Sequence, residues 1–177
     1  MHITGNGADR RIVLRNLTAG RATDLYKPPA PIQLGSTLAV SANGQHIAFE
    51  ISNTEARTTS VMVMTVSGEQ PREVGPPVAL PDVVADIWAL TPDGRYVLYT
   101  TANQESGARK LWRIAVDGGA PQEIRLPMGR LGTISTIRGN EVSIHPDGQQ
   151  IAFIASPPAR QSVWALENFL PKARATR

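Results

Sequence analysis

Thr91-Pro92-Asp93-Gly94-Arg95-Tyr96-Val97-Leu98-Tyr99 decides how this chain folds, because it joins a tight turn to a strand and because it recurs. Proline sets φ near −65° at one corner, aspartate caps the bend, and glycine takes the positive φ that a side chain would resist. Beyond the turn, Val97 and Tyr99 alternate with period two, the spacing of a β-strand. The pattern returns as Ser41-Ala42-Asn43-Gly44 before Gln45-His46-Ile47-Ala48-Phe49, and as His145-Pro146-Asp147-Gly148 before Gln149-Gln150-Ile151-Ala152-Phe153. Gly44, Gly94 and Gly148 are 50 and then 54 residues apart. A period of this size marks a repeat architecture in which each unit is one supersecondary motif.

Each unit extends in both directions from its turn. Apolar approach strands precede it at Thr37–Val40, Ile87–Leu90 and Val142–Ile144, and third strands follow at Val61–Met64, Leu111–Ile114 and Val163–Leu166. In the first two units a glycine turn, at Gly68 and Gly118, leads to a short fourth strand at Pro71–Val74 and Pro121–Ile124. The reading predicts an all-β fold of β-propeller blades, four antiparallel strands each. Residues 1–25 read as the last two strands of a preceding blade, at Arg11–Leu17 and Ala22–Leu25. Blades follow at 37–74, 87–124 and 142–170, the last without a fourth strand, joined by connectors 26–36, 75–86 and 125–141 and ending in a basic tail, 171–177. About three and a half blades fall short of the usual four to eight, so an incomplete propeller is expected.

Composition agrees with this and removes other classes. Of 177 residues, 15 are Gly and 14 Pro, which suits turns rather than long helices, and 41 % hydrophobic with 19 % charged residues is enough to bury a core. The longest apolar runs fall well short of the ~18 residues a membrane helix needs, so no membrane insertion is expected. Met1-His2-Ile3-Thr4-Gly5 lacks the basic start and apolar centre of a secretory signal. The absence of cysteine excludes disulfides, thiolate zinc sites and cysteine nucleophiles. Lys172, Arg174 and Arg177 carry the whole net charge of +3, since the rest of the chain holds 15 basic and 15 acidic residues. That tail reads as a solvated terminus and, with aromatics at 5 %, no nucleic-acid partner is expected.

A search for chemistry finds little. No G-x-S-x-G elbow is present, Arg10 interrupts the glycine pattern begun by Gly5-Asn6-Gly7, and His2, His46 and His145 have no metal-ligand spacing. No catalytic, metal or cofactor residue is therefore expected. Asn43, Gly44, Pro92, Asp93, Gly94, Pro146, Asp147 and Gly148 are read as structural turn residues, and Trp88, Trp112 and Trp164 as blade-to-blade packing. The connectors share one rim and vary in length, which makes that rim the candidate binding surface. Two are stiffened by Pro28, Pro29 and Pro31 and by Pro76, Pro77 and Pro81; the third brings Arg125, Arg130 and Arg138 to one edge, a candidate site for an anionic partner.

The segments 91–99 and 145–153 resemble the S-P-D-G-[KR]-x-[IL]-[AV]-F signature of TolB-type, WD40-like (PD40) repeats, and the resemblance runs from about residue 36 to 170. Ala42-Asn43 stands where the signature has Pro-Asp, and Thr91 and His145 where it has serine. The resemblance implies a non-catalytic bacterial scaffold, periplasmic or otherwise extracytoplasmic, that binds a protein or ligand with its inter-blade loops. Similar blades also gate prolyl-oligopeptidase-like peptidases, and Val163–Pro171 resembles the end of bacterial proteins in which a propeller follows a kinase-like or winged-helix domain. On that alternative this chain is the carboxy-terminal sensor or gate of a larger enzyme. Either way a protein partner is expected, and so is contact with the remaining blades of a parent propeller or self-association.

Overall fold

Where a sheet is covered on both faces, its strands lose the alternation of apolar and polar residues and become continuously apolar. Val61-Met62-Val63-Met64 is such a run, and all four side chains are buried. The computed structural model describes residues 1–106, 109–125, 142–155 and 162–167, with 142, 153–155 and 162–167 as backbone. Four antiparallel sheets follow one another along the chain. The first is β1 (His2–Thr4), β2 (Arg11–Arg15) and β3 (Ala22–Tyr26), with one 3₁₀ turn at Gly7–Asp9. The second is β4 (Ile32–Val40), β5 (His46–Asn53), β6 (Thr58–Thr65) and β7 (Arg72–Glu73), with the short β8 (Val78–Ala79) also pairing with β6. The third is β9 (Asp82–Leu90), β10 (Tyr96–Asn103), β11 (Arg109–Ala115) and β12 (Gln122–Ile124), and the fourth is β13 (Val142–Ile144), β14 (Gln150–Ala155) and β15 (Ser162–Glu167).

Each sheet is a meander in chain order, which is the blade of a β-propeller. The second sheet uses both faces. Ile47, Phe49, Met62 and Met64 pack with Ile12, Ile3, Leu25 and Tyr26 of the first sheet, while Ala48, Val61 and Val63 pack with Val84, Ile87, Val97, Tyr99 and Ile114 of the third. Hydrogen bonds cross the second junction directly, among them Val84 N–H to Thr59 Oγ1 at 2.6 Å, Ile87 N–H to Thr37 Oγ1 at 3.0 Å and Arg72 Nη2 to Asp117 Oδ1 at 3.5 Å.

Several boundaries differ from the sequence reading: β2 ends at Arg15 rather than Leu17, the short β8 lies inside the connector read at 75–86, and three further differences bear on the sheets themselves. The first sheet has three strands, because His2–Thr4 pairs with β2 in register His2↔Val13 to Thr4↔Arg11. Three residues with a single inward apolar side chain, Ile3, are too few to show a period. The approach strands begin at Ile32 and Asp82 rather than at 37 and 87, which shortens the connectors. Both are interrupted by register shifts, between Leu34 and Leu38 in the pairing of β4 with β5 and at two places in β9–β10, and a bulge breaks the alternation that defines a strand in sequence. The third connector from 126 to 141, the side chain of Trp164 and the basic tail lie outside the described residues.

Candidate functional site

The signature turns are built three times to one plan. Gly44, Gly94 and Gly148 have φ of 69°, 70° and 70°, and their N–H groups donate to the carbonyls of Ser41, Thr91 and His145, each at 2.8 Å. The side chain of the third turn residue caps the bend: Asn43 Oδ1 accepts from Gln45 N–H at 3.0 Å, Asp93 Oδ1 from Arg95 N–H at 3.0 Å, and Asp147 Oδ1 from Gln149 N–H at 2.8 Å. The leading residue closes the ring in the first two turns, where the hydroxyls of Ser41 and Thr91 donate to Asn43 and Asp93. His145 takes that place in the third, with Nδ1 2.9 Å from Asp147 Oδ1. The Gln149 N–H and then His145 hold the Asp147 carboxyl below its ordinary range. Each of these hydrogen bonds is made within its own turn.

The opposite rim is where chemistry is left over. Ala30-Pro31 and Leu80-Pro81 are both cis, and each proline carbonyl is tied to the hairpin of its own sheet: Thr54 Oγ1 donates to Pro31 O at 3.2 Å and Gln104 N–H to Pro81 O at 2.8 Å. This draws two successive hairpins and the connector between them around one groove of about 460 Å³, lined by Ala56, Arg57, Ala79, Leu80, Pro81, Gln104 and Glu105. Asn53 Oδ1 accepts from the N–H groups of Glu55 and Ala56 and so turns the first hairpin, and Asn103 Oδ1 does the same for Glu105 and Ser106 in the second. Arg57 then closes its hairpin at φ 55°, and among the described residues it alone is left-handed without being glycine. Such a conformation costs a side-chain-bearing residue on the order of 1–2 kcal/mol.

A second polar group stands just inside the sheets. Glu50 lies on the β5 face turned toward the third sheet, and it is only 6 % exposed. Its carboxylate accepts from Ser36 N–H at 2.8 Å, Thr37 N–H at 3.2 Å and the Thr37 hydroxyl at 2.6 Å, filling the bulge of β4. Burial pushes the Glu50 carboxyl above its ordinary value, against the pull of those three donors. Thr37 Oγ1 also accepts the Ile87 N–H, so the acid is linked through one hydroxyl to the next sheet. Within the third sheet, Arg109 Nη1 meets Asp86 Oδ2 at 3.1 Å, a partly buried ion pair.

Of the candidate arginines, Arg125 is exposed directly after β12, while Arg130 and Arg138 lie outside the described residues. Arg57, Gln104, Glu105 and Glu50 are absent from the sequence reading. Two of them left a signal: Glu50 is a charge inside the apolar run Ile47–Ile51, and Arg57 stands where Gly107 stands fifty residues later. Among the described residues no cluster of three or more His, Asp or Glu side chains is arranged to hold a metal.

Comparison with known proteins supports the architecture. No protein-family model matches the chain, and no curated protein matches it. Among solved structures, it is similar to TolB from Acinetobacter baumannii, with a TM-score of 0.64 and 16 % identity over 94 % of this chain and 37 % of that one. It is also similar to Porphyromonas gingivalis dipeptidyl peptidase 4, with TM-score 0.60, 12 % identity, and coverage of 90 % and 28 %. The β-propeller domain of the Trilobed protease from Pyrococcus furiosus aligns with TM-score 0.53, 13 % identity, and coverage of 77 % and 40 %. At these identities the likeness concerns the fold: the chain is a TolB-like β-propeller fold and spans well under half the length of each of these proteins.

Proposed function

We propose that the chain is a non-catalytic β-propeller module of the TolB-like, PD40-repeat kind, and that it binds a protein or ligand with its connector rim. The observation that carries this reading is Arg57. A left-handed arginine costs stability where glycine would not, and strain of this sort gathers where function holds it in place. It borders a groove framed by two hairpins and a cis-proline connector, a rigid scaffold that presents exposed polar side chains. The test is a photo-reactive residue placed at Gln104 in the groove and, separately, at Asn43 on the opposite rim. Binding through the rim gives a discrete crosslinked species from Gln104 that Arg57→Gly abolishes; equal crosslinking from Asn43 would overturn the assignment.

A second reading is supported by the peptidases among the similar structures. On it the chain is the sensor or substrate gate of a larger enzyme whose catalytic domain lies elsewhere in the polypeptide. A hydrolase or kinase domain in the same reading frame as this chain would favour it over a free-standing binding module.

A further inference from the structure

Asparagine is followed by glycine at two places in the chain, Asn6-Gly7 and Asn43-Gly44, and the fold treats the two steps differently. Such a step carries a reaction of its own, because the glycine amide nitrogen reaches the asparagine Cγ with no Cβ in the way. At Asn43 every group involved is engaged. Gly44 N–H, the nitrogen that would attack, donates to Ser41 O at 2.8 Å. Asn43 Oδ1 accepts from the Ser41 hydroxyl at 2.7 Å and from Gln45 N–H at 3.0 Å, while Asn43 Nδ2 donates to Gln45 Oε1 at 3.2 Å. At Asn6 the groups are free. The residue is exposed and extended, at φ −128° and ψ 145°, and its side chain makes no bond to the turn that follows. Gly7 N–H has no hydrogen-bond partner among the described residues, and the space around Gly7 is open. Bringing Gly7 N onto Asn6 Cγ takes a rotation about the Asn6 Cα–C bond. The peptide unit that must turn makes one hydrogen bond, from Asp9 N–H to Asn6 O at 3.0 Å.

We propose that Asn6 is a site of covalent self-modification, with water as its co-reactant. The Gly7 amide nitrogen gives up its proton to solvent base and bonds to Asn6 Cγ. The Cγ–Nδ2 bond breaks, the side-chain nitrogen takes up a proton and leaves as ammonia, and a succinimide ring remains. Water then adds to one ring carbonyl. Opening at Cγ leaves aspartate, and opening at the backbone carbonyl leaves isoaspartate, whose main chain runs through Cβ and Cγ. The sum is hydrolysis of one amide to a carboxylate and ammonia, with no oxidant or reductant. What selects Asn6 is the ease of reaching the attacking geometry, since the dipeptide is the same at both sites. The modification falls where it bears on the neighbouring sheet. The turn after Asn6 leads into Arg10, whose Nη1 donates to Leu34 O at 3.3 Å, and holds Asp9 2.8 Å from Lys27 Nζ. At Asn43 the same chemistry would supply the carboxylate that Asp93 and Asp147 carry, yet the turn keeps the amide.

The test incubates the full chain in mildly alkaline buffer, digests samples after lysine and arginine, and follows each asparagine by mass spectrometry with fragmentation. The peptide from Met1 to Arg10 holds Asn6 as its sole asparagine. It should gain the mass difference between an amide and an acid, in part as isoaspartate, and do so about tenfold faster than Asn43 or more. Because the attacking nitrogen must lose its proton, the rate should rise with pH. In guanidinium chloride the rates at Asn6 and Asn43 should come together, since hydrogen bonds of the folded chain set them apart. Equal rates in the folded protein overturn the proposal, as does a contrast that survives unfolding. So does an Asn6 no more altered than Asn16 or Asn103, which are followed by leucine and glutamine. Both sites are read in one unaltered protein, so the result does not depend on any variant folding.

Discussion

Replacing Glu50 by alanine removes the acceptor of three hydrogen bonds at once: the Ser36 and Thr37 N–H groups and the Thr37 hydroxyl. A buried donor left unpaired costs about 1–3 kcal/mol. Relief of the burial penalty on the carboxylate, and rotation of the hydroxyl, offset part of that sum, so the expected loss is about 3 kcal/mol. For a chain of this size this is a fall in Tm of about 6–12 °C. Gly35→Ala reaches the same place from the other side. A Cβ there would stand 1.9 Å from Glu50 Oε1 and 2.2 Å from its Cδ, which no packing tolerates, so the carboxylate is driven out of the bulge. Gly35 is not in the left-handed region, and alanine therefore brings no backbone penalty of its own. In the double variant the new methyl enters space that the carboxylate has vacated. Each single change should cost about 3 kcal/mol, and the pair about 3 rather than about 6, a coupling of about 3 kcal/mol. Urea denaturation followed by circular dichroism and tryptophan fluorescence measures all four proteins, and hydrogen exchange at Ile87, whose N–H rests on Thr37 Oγ1, should quicken in both single variants. Additive losses, or a Gly35→Ala protein within about 0.5 kcal/mol of the parent, would refute the argument that the carboxylate holds the bulge.

Three further outcomes follow from the same geometry. Because burial raises the Glu50 pKa in the folded state, this group's contribution to stability is fullest below the ordinary glutamate value of about 4.3 and declines as pH rises through the raised value. Glu50→Gln lacks that slope, so parent and variant compared by denaturation from acid to neutral pH should converge or cross, and parallel curves would count against it. Asp93→Ala takes away the acceptor of the Arg95 N–H and the Thr91 hydroxyl and should cost about 1 kcal/mol, with no change in the other two turns; a neutral result in thermal melts would mean the carboxylate does not cap. Arg57→Gly relieves the left-handed strain but adds chain entropy to the unfolded state, and should raise stability by about 0.5 kcal/mol, whereas a loss above about 1 kcal/mol would show that the arginine side chain supports the fold.

What was readable in the chain divides along the range of the interactions involved. A turn such as Thr91 to Arg95 is closed by its own neighbours, so its chemistry is written in consecutive letters, and three copies at near-equal spacing were enough for the blade and its period. The start of β4 was hidden because its bulge at Gly35 and Ser36 is held by a residue on the neighbouring strand, and nothing next to Gly35 in sequence announces Glu50. The seat of Tyr26 on Phe49 spans two sheets and is equally invisible to a period-two reading.

The repeat nevertheless offers a comparison inside one chain, and its irregularities fall together. Where the second sheet has Glu50, the third has Thr100, whose hydroxyl is buried and unpartnered among the described residues. Where it has Ser36 and Thr59, the third has Asp86 and Arg109, joined as an ion pair. Glu50 satisfies its bulge with one long side chain reaching across a strand; Thr100 is too short to do so, and the third sheet brings a charged pair to the equivalent strands instead. Such substitutions keep the backbone plan while changing which groups face the neighbouring blade. Among the described residues, the junction between the second and third sheets therefore brings Glu50 and the rim around Arg57 together at positions where the two sheets use different side chains on the same backbone plan.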